Sequence, residues 1–360
     1  MSTIGELVRQ HTDLSKEQTT HLVNLVSEWG MLADLCFADL LLYVPIKDDS
    51  WKIVAQVRAA TGQTLYLVDF VGTEASSSDR PLLVEAFRTG EIVEGEIFVE
   101  GIEEDCRMMA IPVKHEGQVV GVLTREWSRR TGRQPGELER TYLEMFDRFA
   151  EMIVRGSFPF AGRVADSSVA PRVGDGAIVL DHDSRIRYAS PNATSALHRV
   201  GISANAVGQT LAELGVIDSS VRQAFERAEP VVEEFEQTAD VTLLTRCIPI
   251  VSDVDGESAV TGAVMLLRDV SELRRRDRLI LSKDATIREI HHRVKNNLQT
   301  ISSLLRLQGR RLESAEAKAA VAESVRRIRT IALVHETLSR EPGDDVAFIE
   351  IVRPLLRLVE

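Results

Sequence analysis

The sequence predicts a multidomain α+β protein: two antiparallel-sheet domains and then a two-helix hairpin, which a second copy of the chain completes into a four-helix bundle. Within residues 1–156 and 175–270, short apolar runs alternate with turn-forming residues, as in antiparallel sheets. The stretch 269–312 contains no proline and a single glycine, which favours one long helix. A chain of 360 residues has room for these parts.

The composition argues against several classes of protein. A formal net charge of −12 opposes general affinity for nucleic acids or anionic membranes. The N-terminus lacks the basic segment of a signal peptide, and Asp34 and Asp39 interrupt the most apolar run. Cys36, Cys106 and Cys247 are widely spaced, so we expect buried thiols and no metal site. We therefore expect a cytoplasmic protein without a membrane partner.

Residues 1–156 are predicted to form the first α+β domain. Apolar residues recur at helical spacing from Leu22 through Trp29 to Cys36, which predicts one helix. Strands are expected in DLLLYVP, KIVAQVR and TLYLVDF, and a hairpin in CRMMAIPVKHEGQVVGVLTRE. The domain then ends in an amphipathic helix, whose apolar positions are Leu138, Tyr142, Met145, Phe149 and Met152.

A linker and a second domain follow. Residues 157–174 are rich in Gly, Pro, Ala and Ser and show no periodicity, as linkers do. Residues 175–270 are predicted to contain a hairpin around His182–Ser184, a short helix in PNATSALHRVG, and later strands in VTLLTRCIPIV and AVTGAVMLLRDV. Pro249 indicates a strand edge or a bulge.

Residues 271–342 are predicted to form the helical hairpin. Asp269 and Glu272 have the spacing of a capping box, and we interpret this junction as the point where a signal passes into the helix. The second helix is expected from about Ser314 to Arg340, where EPGDD ends it. Its apolar stripe comprises Val321, Val325, Ile328, Ala332 and His335. Because two such helices cannot bury their stripes alone, a homodimer is predicted.

Helical geometry distinguishes the two neighbouring histidines of the first helix. Its core stripe comprises Ile287, Ile290, Val294, Leu298, Ile301 and Leu305. At about 100° per residue, His291 lies at the margin of this stripe, whereas His292 lies on the opposite face with Asn296. An exposed imidazole can attack a phosphate donor in line, and Asn296 at i+4 can hydrogen-bond the ring. Glu289 can orient His292 or accept its proton. A polar face carrying one histidine is also compatible with simple solvation.

The segment EIHHRVKNNLQTISSLLRLQ resembles the phosphoacceptor helix of histidine kinases that carry a His-Arg-x-x-Asn motif. The motif falls on His292, Arg293, Lys295, Asn296 and Asn297. AIPVKHEGQVVGVL resembles a GAF domain, and both GAIVLDHDSRIRYASPNATSALHRVG and LLRDVSEL resemble a PAS domain. The resemblance implies a cytosolic two-component sensor kinase. Such a homodimer autophosphorylates His292 from ATP and Mg²⁺ and passes the phosphoryl group to an aspartate of an antitermination-type response regulator.

The sequence departs from the family pattern after the helices. The ATP-binding domain of such kinases has an Asn-bearing helix and glycine-rich lid motifs, but Gly343 is the one glycine after Gly309. Residues 343–360 are interpreted as the first piece of that domain. We therefore expect this chain to hold no ATP and to be inactive alone.

The resemblance implies sensing, but it assigns no ligand residues. GAF domains bind small ligands such as cyclic nucleotides, and we expect no obligatory cofactor here. Cys247 lies in LLTRCIPI, outside the Asn-Cys-Arg type of motif that flavin photosensors need. His198 is the one plausible axial haem ligand, although HRVG is also typical of a basic helix end.

Two rival functions remain open. Between Glu272 and Arg311 there are eleven Lys or Arg against four Asp or Glu, which is compatible with a nucleic-acid surface. No helix-turn-helix spacing or aromatic platform accompanies these charges, and a basic bundle equally suits docking of an acidic response regulator. The second rival is a dimeric ligand-binding scaffold that signals without phosphorylation. Substitution of His292 separates the scaffold from the kinase.

Overall fold

A computed structural model describes residues 3–47, 50–58, 64–98, 106–128, 136–160, 170–203 and 205–337. The chain divides into two compact units, Met1–Ser271 and Glu272–Glu360, and each is described by itself. Three sequence predictions fall outside the described residues: the middle of the linker, the end of the second helix near Arg340, and the proposed start of an ATP-binding domain at 343–360.

In its described residues up to 160, the first unit contains five helices and a six-stranded sheet. The helices are α1 Ile4–His11, α2 Lys16–Ser27, α3 Trp29–Cys36, α4 Pro81–Thr89 and α5 Glu137–Arg155. The strands are β1 Asp39–Ile46, β2 Ser50–Val57, β3 Glu74–Ser76, β4 Val93–Ile97, β5 Cys106–His115 and β6 Gln118–Ser128. They form an antiparallel sheet in the order β3-β2-β1-β6-β5-β4. Helices α2, α3 and α5 contribute to the larger core, and α4 packs over the other face.

The single helix expected over Leu22 to Cys36 is two helices. Glu28 separates α2 from α3: it caps both, with φ −91° and ψ −2°. The apolar periodicity continues across this joint because Leu25, Trp29 and Leu32 are all buried in the same core. Periodicity alone therefore could not reveal the break. Sequence reasoning also missed α1, although Thr3 and Glu6 form a complete capping box there.

The predicted strand TLYLVDF is wrong, because this segment has no strand hydrogen bonding. Its backbone groups are satisfied by side chains instead. The Asp39 carboxylate accepts from the backbone N–H groups of Leu65 and Tyr66, each at 2.8 Å. Arg58 Nη2 donates to the carbonyl of Val68 at 2.7 Å. This apolar sequence thus lies in an irregular segment because the buried Asp39 and the exposed Arg58 supply hydrogen bonds to its backbone.

A second, five-stranded antiparallel sheet belongs to the same unit. Its elements are β7 Ala177–Leu180, β8 Ile186–Ala189, α6 Pro191–Arg199, α7 Ser219–Arg227, β9 Val231–Thr238, β10 Val241–Val254 and β11 Glu257–Asp269, with strand order β8-β7-β11-β10-β9. β9 pairs with β10 only as far as Cys247, so Pro249 lies beyond the end of that ladder. The ladder to β11 shifts register at Ile250/Val251. The expected local irregularity is therefore present.

The two sheets share one apolar core. Ile248 and Ile250 on β10 face the helices of the first sheet, in one cluster with Trp29 and Phe149. Alternate residues of β10, such as Cys247, face α6 and α7. Phe158 and Val173, at the two ends of the proposed linker, are both buried in the shared core. The domain boundaries at 157–174 stay a prediction, but the chain is anchored on both sides of them.

In its described residues, the second unit contains two helices. α8 runs Ser271–Arg311 and α9 runs Ala315–Thr337, and both begin close to the predicted starts. The helices approach closely near Gly309, where a Cβ atom would lie 3.2 Å from Cγ1 of Val321. Ser302, Val325 and Ala332 are buried. Among the described residues, no helix is both long and apolar enough to span a membrane.

Candidate functional site

The structure places His292 on the exposed face of α8 and His291 at a half-buried position. The exposure of the two rings agrees with the orientation deduced from helical spacing, and the role of His292 stays a prediction. Asn296, one turn later, is also exposed, and its carbonyl accepts from the Thr300 hydroxyl at 3.0 Å. The His292 ring is therefore open to a large partner from the side that also carries the Asn296 amide.

The predicted core stripe of α8 is only partly covered within one chain. Ile287, Ile290 and Ile301 are 50%, 53% and 45% exposed. Val294, Leu298 and Leu305 are half-buried. An apolar stripe of this length facing water is what a second copy would cover. His292 lies on the other side of the helix, so covering the stripe leaves its ring accessible.

The motif residues around His292 are arranged as an exposed polar surface. Glu289 accepts from Nε of Arg293 at 2.6 Å, one helical turn away. Lys295 is half-buried, and Asn297 is exposed. Glu289 was expected to orient the His292 ring, but its observed partner is Arg293. The contact with Arg293 engages Oε1 of Glu289, so its role towards the His292 ring stays a prediction.

The junction before α8 differs from the predicted capping box. Asp269 ends β11, and its Oδ1 accepts from the backbone N–H of Ser271 at 2.9 Å, while Oδ2 lies 2.9 Å from Nε of Arg199. Glu272 does not complete the box, because it pairs with Arg276 at 3.1 Å within α8. The acid that caps the helix start is thus held by an arginine of α6, which sequence spacing could not show.

The cysteines are buried, as expected. All three lie in the interior, and burial raises the pKa of the Cys36 and Cys247 thiols to about 12. His198 is exposed in the last turn of α6, which suits a basic helix end better than an axial haem ligand. Within the described part of the chain, no group of three or more His, Cys, Asp or Glu residues could hold a metal ion.

Sequence reasoning missed a buried polar cluster inside the first sheet. Glu126 on β6 is fully buried, accepts from the hydroxyls of Tyr66 and Thr124, and lies 3.7 Å from Nη1 of Arg80. The Tyr43 hydroxyl lies 3.5 Å away. Burial and the neighbouring Glu126 raise the pKa of both tyrosines well above the ordinary value. A Glu two residues from a Thr in a strand is the only sequence signal, and it is a weak one.

Two antiparallel sheets sharing a core, followed by a helical pair with an exposed histidine on an amphipathic helix, define the class of two-component sensor histidine kinases. Residues 4–146 match the family model described as "Histidine kinase PdtaS, GAF domain", and residues 289–359 match the "Histidine kinase" model HisKA_2. The chain belongs to the PdtaS family of sensor histidine kinases.

Relatives and a solved structure agree with this assignment. The chain is 40% identical to the sensor histidine kinase PdtaS of Mycolicibacterium smegmatis, over 100% of this chain and 74% of that protein. It is equally 40% identical to PdtaS of Mycobacterium tuberculosis H37Rv, with the same coverage. A structure described as "Sensor region of a sensor histidine kinase" superposes with a TM-score of 0.63 at 34% identity, covering 76% of this chain and 100% of that one. The predicted α+β sensor architecture and kinase class are confirmed.

Proposed function

We propose that His292 is the phosphoacceptor of this sensor kinase. The observation that carries the proposal is the position of the ring: it is exposed on α8, opposite an apolar stripe, inside the region that matches the histidine kinase model. His291, its neighbour, is half-buried at the margin of the stripe. Of these two neighbours, His292 is the one whose imidazole a separate ATP-bearing module and a separate receiver can both reach.

The reaction at His292 is an in-line phosphoryl transfer. An imidazole nitrogen forms a bond to the γ-phosphorus of ATP, the bond from that phosphorus to the bridging oxygen breaks, and ADP leaves. The ring loses its proton to solvent or to a carboxylate. Asn296 supports the reaction by hydrogen-bonding the ring or the incoming phosphoryl group. ATP and Mg²⁺ supply the donor, and this chain supplies the acceptor.

The partners follow from the same surface. Histidine kinases generally dimerise and transfer to a response regulator, and here the half-exposed stripe on α8 suits a second copy in a four-helix bundle. An aspartate of a receiver domain then takes the phosphoryl group from His292. We propose an antitermination-type regulator as this receiver. Exposed basic residues of α8, including Arg293, provide complementary charge for its acidic surface.

The first domain is proposed to bind a small ligand, such as a cyclic nucleotide, and no cofactor is needed for the fold. The buried cluster around Glu126 supports this only indirectly, because a polar interior tolerates polar ligands better than an apolar one. The proposed signal path runs from the two sheets to the start of α8, where Asp269 and Ser271 fix the first turn.

The test supplies the ATP-binding module of a histidine kinase as a separate protein, with radiolabelled ATP and Mg²⁺. Label on the wild-type chain is compared with label on His292→Gln and on the matched control His291→Gln. We expect His292→Gln to lose the label and His291→Gln to keep it. Label that survives in both variants would place the phosphoacceptor at another residue, and label that never appears with an active module would favour the scaffold function instead.

A further inference from the structure

The interface between the two sheets of the first unit is mainly apolar, and it contains a deeply buried ion pair. Arg246 lies on the face of β10 that also carries Ile248 and Ile250, and this face packs on the helices of the first sheet. Nη2 of Arg246 lies 2.5 Å from Oε1 of Glu28, with side chains only 7% and 4% exposed. Each charge depends on the other, because neither is accessible to water.

Glu28 is also the residue at which the first sheet's helical layer changes direction. Its backbone N–H donates to the carbonyl of Leu25 at 3.1 Å, and its own carbonyl accepts from Met31 at 3.1 Å. The same residue therefore ends α2, begins α3 and binds the second sheet. A change in the angle between α2 and α3 would move the Glu28 carboxylate and, through the ion pair, the Arg246 guanidinium.

β10 carries the effect to the start of α8. Thr242 lies four residues before Arg246 on the same strand and therefore on the same face. Its carbonyl accepts from the backbone N–H of Val270 at 3.0 Å, and its own N–H donates to the Ser271 hydroxyl at 2.9 Å. The strand that binds Glu28 at one point thus holds the first turn of the long helix at another.

Other polar contacts between the sheets lie nearer to solvent. Arg187 pairs with Glu144 of α5 at 3.0 Å, but both side chains are 47% exposed. Arg148 of α5 donates to the Thr261 carbonyl at 3.3 Å and is part-buried. Exposed pairs restrain a structure weakly because water replaces them at little cost. The Glu28–Arg246 pair is the most deeply buried of these polar links.

We infer that the Glu28–Arg246 ion pair couples the helical layer of the first sensor domain to the start of α8, through β10 and Thr242. It is a mechanical link of positioning residues, distinct from the phosphoacceptor site. The inference is independent of the assignment of His292, since it concerns only residues of the first unit.

Hydrogen–deuterium exchange on the full chain tests the link. The readout is exchange of the Thr242 and Val270 amides, far along the chain from Glu28. We expect Glu28→Gln and Arg246→Gln each to accelerate exchange at Val270 by about tenfold. The matched control Glu144→Gln, which breaks the exposed pair with Arg187, should leave exchange at Val270 at the wild-type rate.

A double variant separates coupling from packing. Glu28→Met with Arg246→Met removes both charges and should keep the melting temperature of the wild type, since apolar side chains replace a buried pair at little cost. We expect exchange at Val270 to stay fast in this variant. Wild-type exchange there would overturn the inference, as would Glu28→Gln changing exchange only at residues 25–33. If the single variants fail to fold, the double variant alone decides.

Discussion

The Glu289 carboxylate lies 2.6 Å from Nε of Arg293, so the acid expected to serve His292 is engaged with the arginine of the same motif. The pair spans one exposed turn of α8 and flanks the His292 ring without using it. Glu289 and Arg293 thereby form an ion pair on the surface of α8. Substitution of either partner therefore tests whether the pair, or Glu289 alone, contributes to phosphorylation of His292.

Glu289→Gln and Arg293→Gln are expected to have similar, small effects. Each breaks the same exposed i,i+4 pair, which is worth about 0.3–0.5 kcal/mol. Phosphorylation rates measured with an ATP-binding module in trans should fall by similar factors of roughly threefold or less, the upper bound reached if this whole free energy were lost from the transition state. A hundredfold loss confined to Glu289→Gln would instead identify Glu289 as the proton acceptor.

Stability is expected to fall as the pH is lowered from 6.5 towards 4 because of His21. Burial, and then the charge of His115, lower the pKa of His21 from 6.5 to about 4 in the folded chain. Between these values the unfolded chain binds the proton and the folded chain does not, so acid favours unfolding. The free energy of unfolding is therefore highest above pH 6.5, and its loss from His21 by pH 4 is about 2 kcal/mol once screening by solvent is taken into account.

Urea unfolding of wild type and His21→Leu across this pH range measures the effect. For each protein, the free energy of unfolding is plotted against pH. The difference between the two slopes gives the effect of His21, because the carboxylates that also titrate are the same in both proteins. His182→Gln is the matched control, because His182 is an exposed turn residue. Parallel slopes for wild type and His21→Leu would contradict the prediction.

Glu126→Gln is expected to destabilise the first unit by about 3 kcal/mol, because it leaves the Arg80 charge facing a neutral amide in the interior. The denaturant midpoint checks this. Glu74→Gln is the control: Glu74 pairs with Lys52 at 2.8 Å, but its side chain lies at the surface. Equal midpoints for the two variants would show that the buried cluster stabilises no more than an exposed pair.

Ile287→Lys with Ile301→Lys is expected to convert a dimer into a monomer, because it places charges in the apolar stripe of α8 that remains half-exposed within one chain. Analytical ultracentrifugation measures the mass. Gln299→Lys with Ser303→Lys, on the face of His292, provides the matched control and should remain dimeric. A doubly substituted stripe that still sediments as a dimer would place the dimer contact elsewhere.

Periodic patterns were enough to predict the elements that bury one continuous face. α5, α8 and the hairpin of β5 and β6 lie where the sequence predicts them, because each alternates apolar and polar residues over a long stretch. The exposed position of His292 was predicted for the same reason. On a single regular helix, angular position follows from residue number alone.

The predictions that were wrong involve polar contacts that residue spacing does not specify. TLYLVDF has the composition of a strand, but Asp39 and Arg58 bind its backbone. Glu272 has the spacing of a capping acid, but it pairs with Arg276 within α8, while Arg199 of α6 holds Asp269. In each case a local preference worth about 1 kcal/mol lost to another polar contact.

The sequence by itself determined the order of the parts, the long helix and the outward face that carries His292, because these depend on periodicity and on neighbours a few residues away. Only the tertiary structure decided that the two sheets share one core, that Glu28 divides a helix and binds Arg246, and that Glu289 pairs with Arg293. The shared core and the Glu28–Arg246 pair bring together residues that lie far apart in the sequence, and the break at Glu28 is a local change of backbone direction. The Glu289–Arg293 pair is a choice between two partners within reach, which geometry settles and spacing does not.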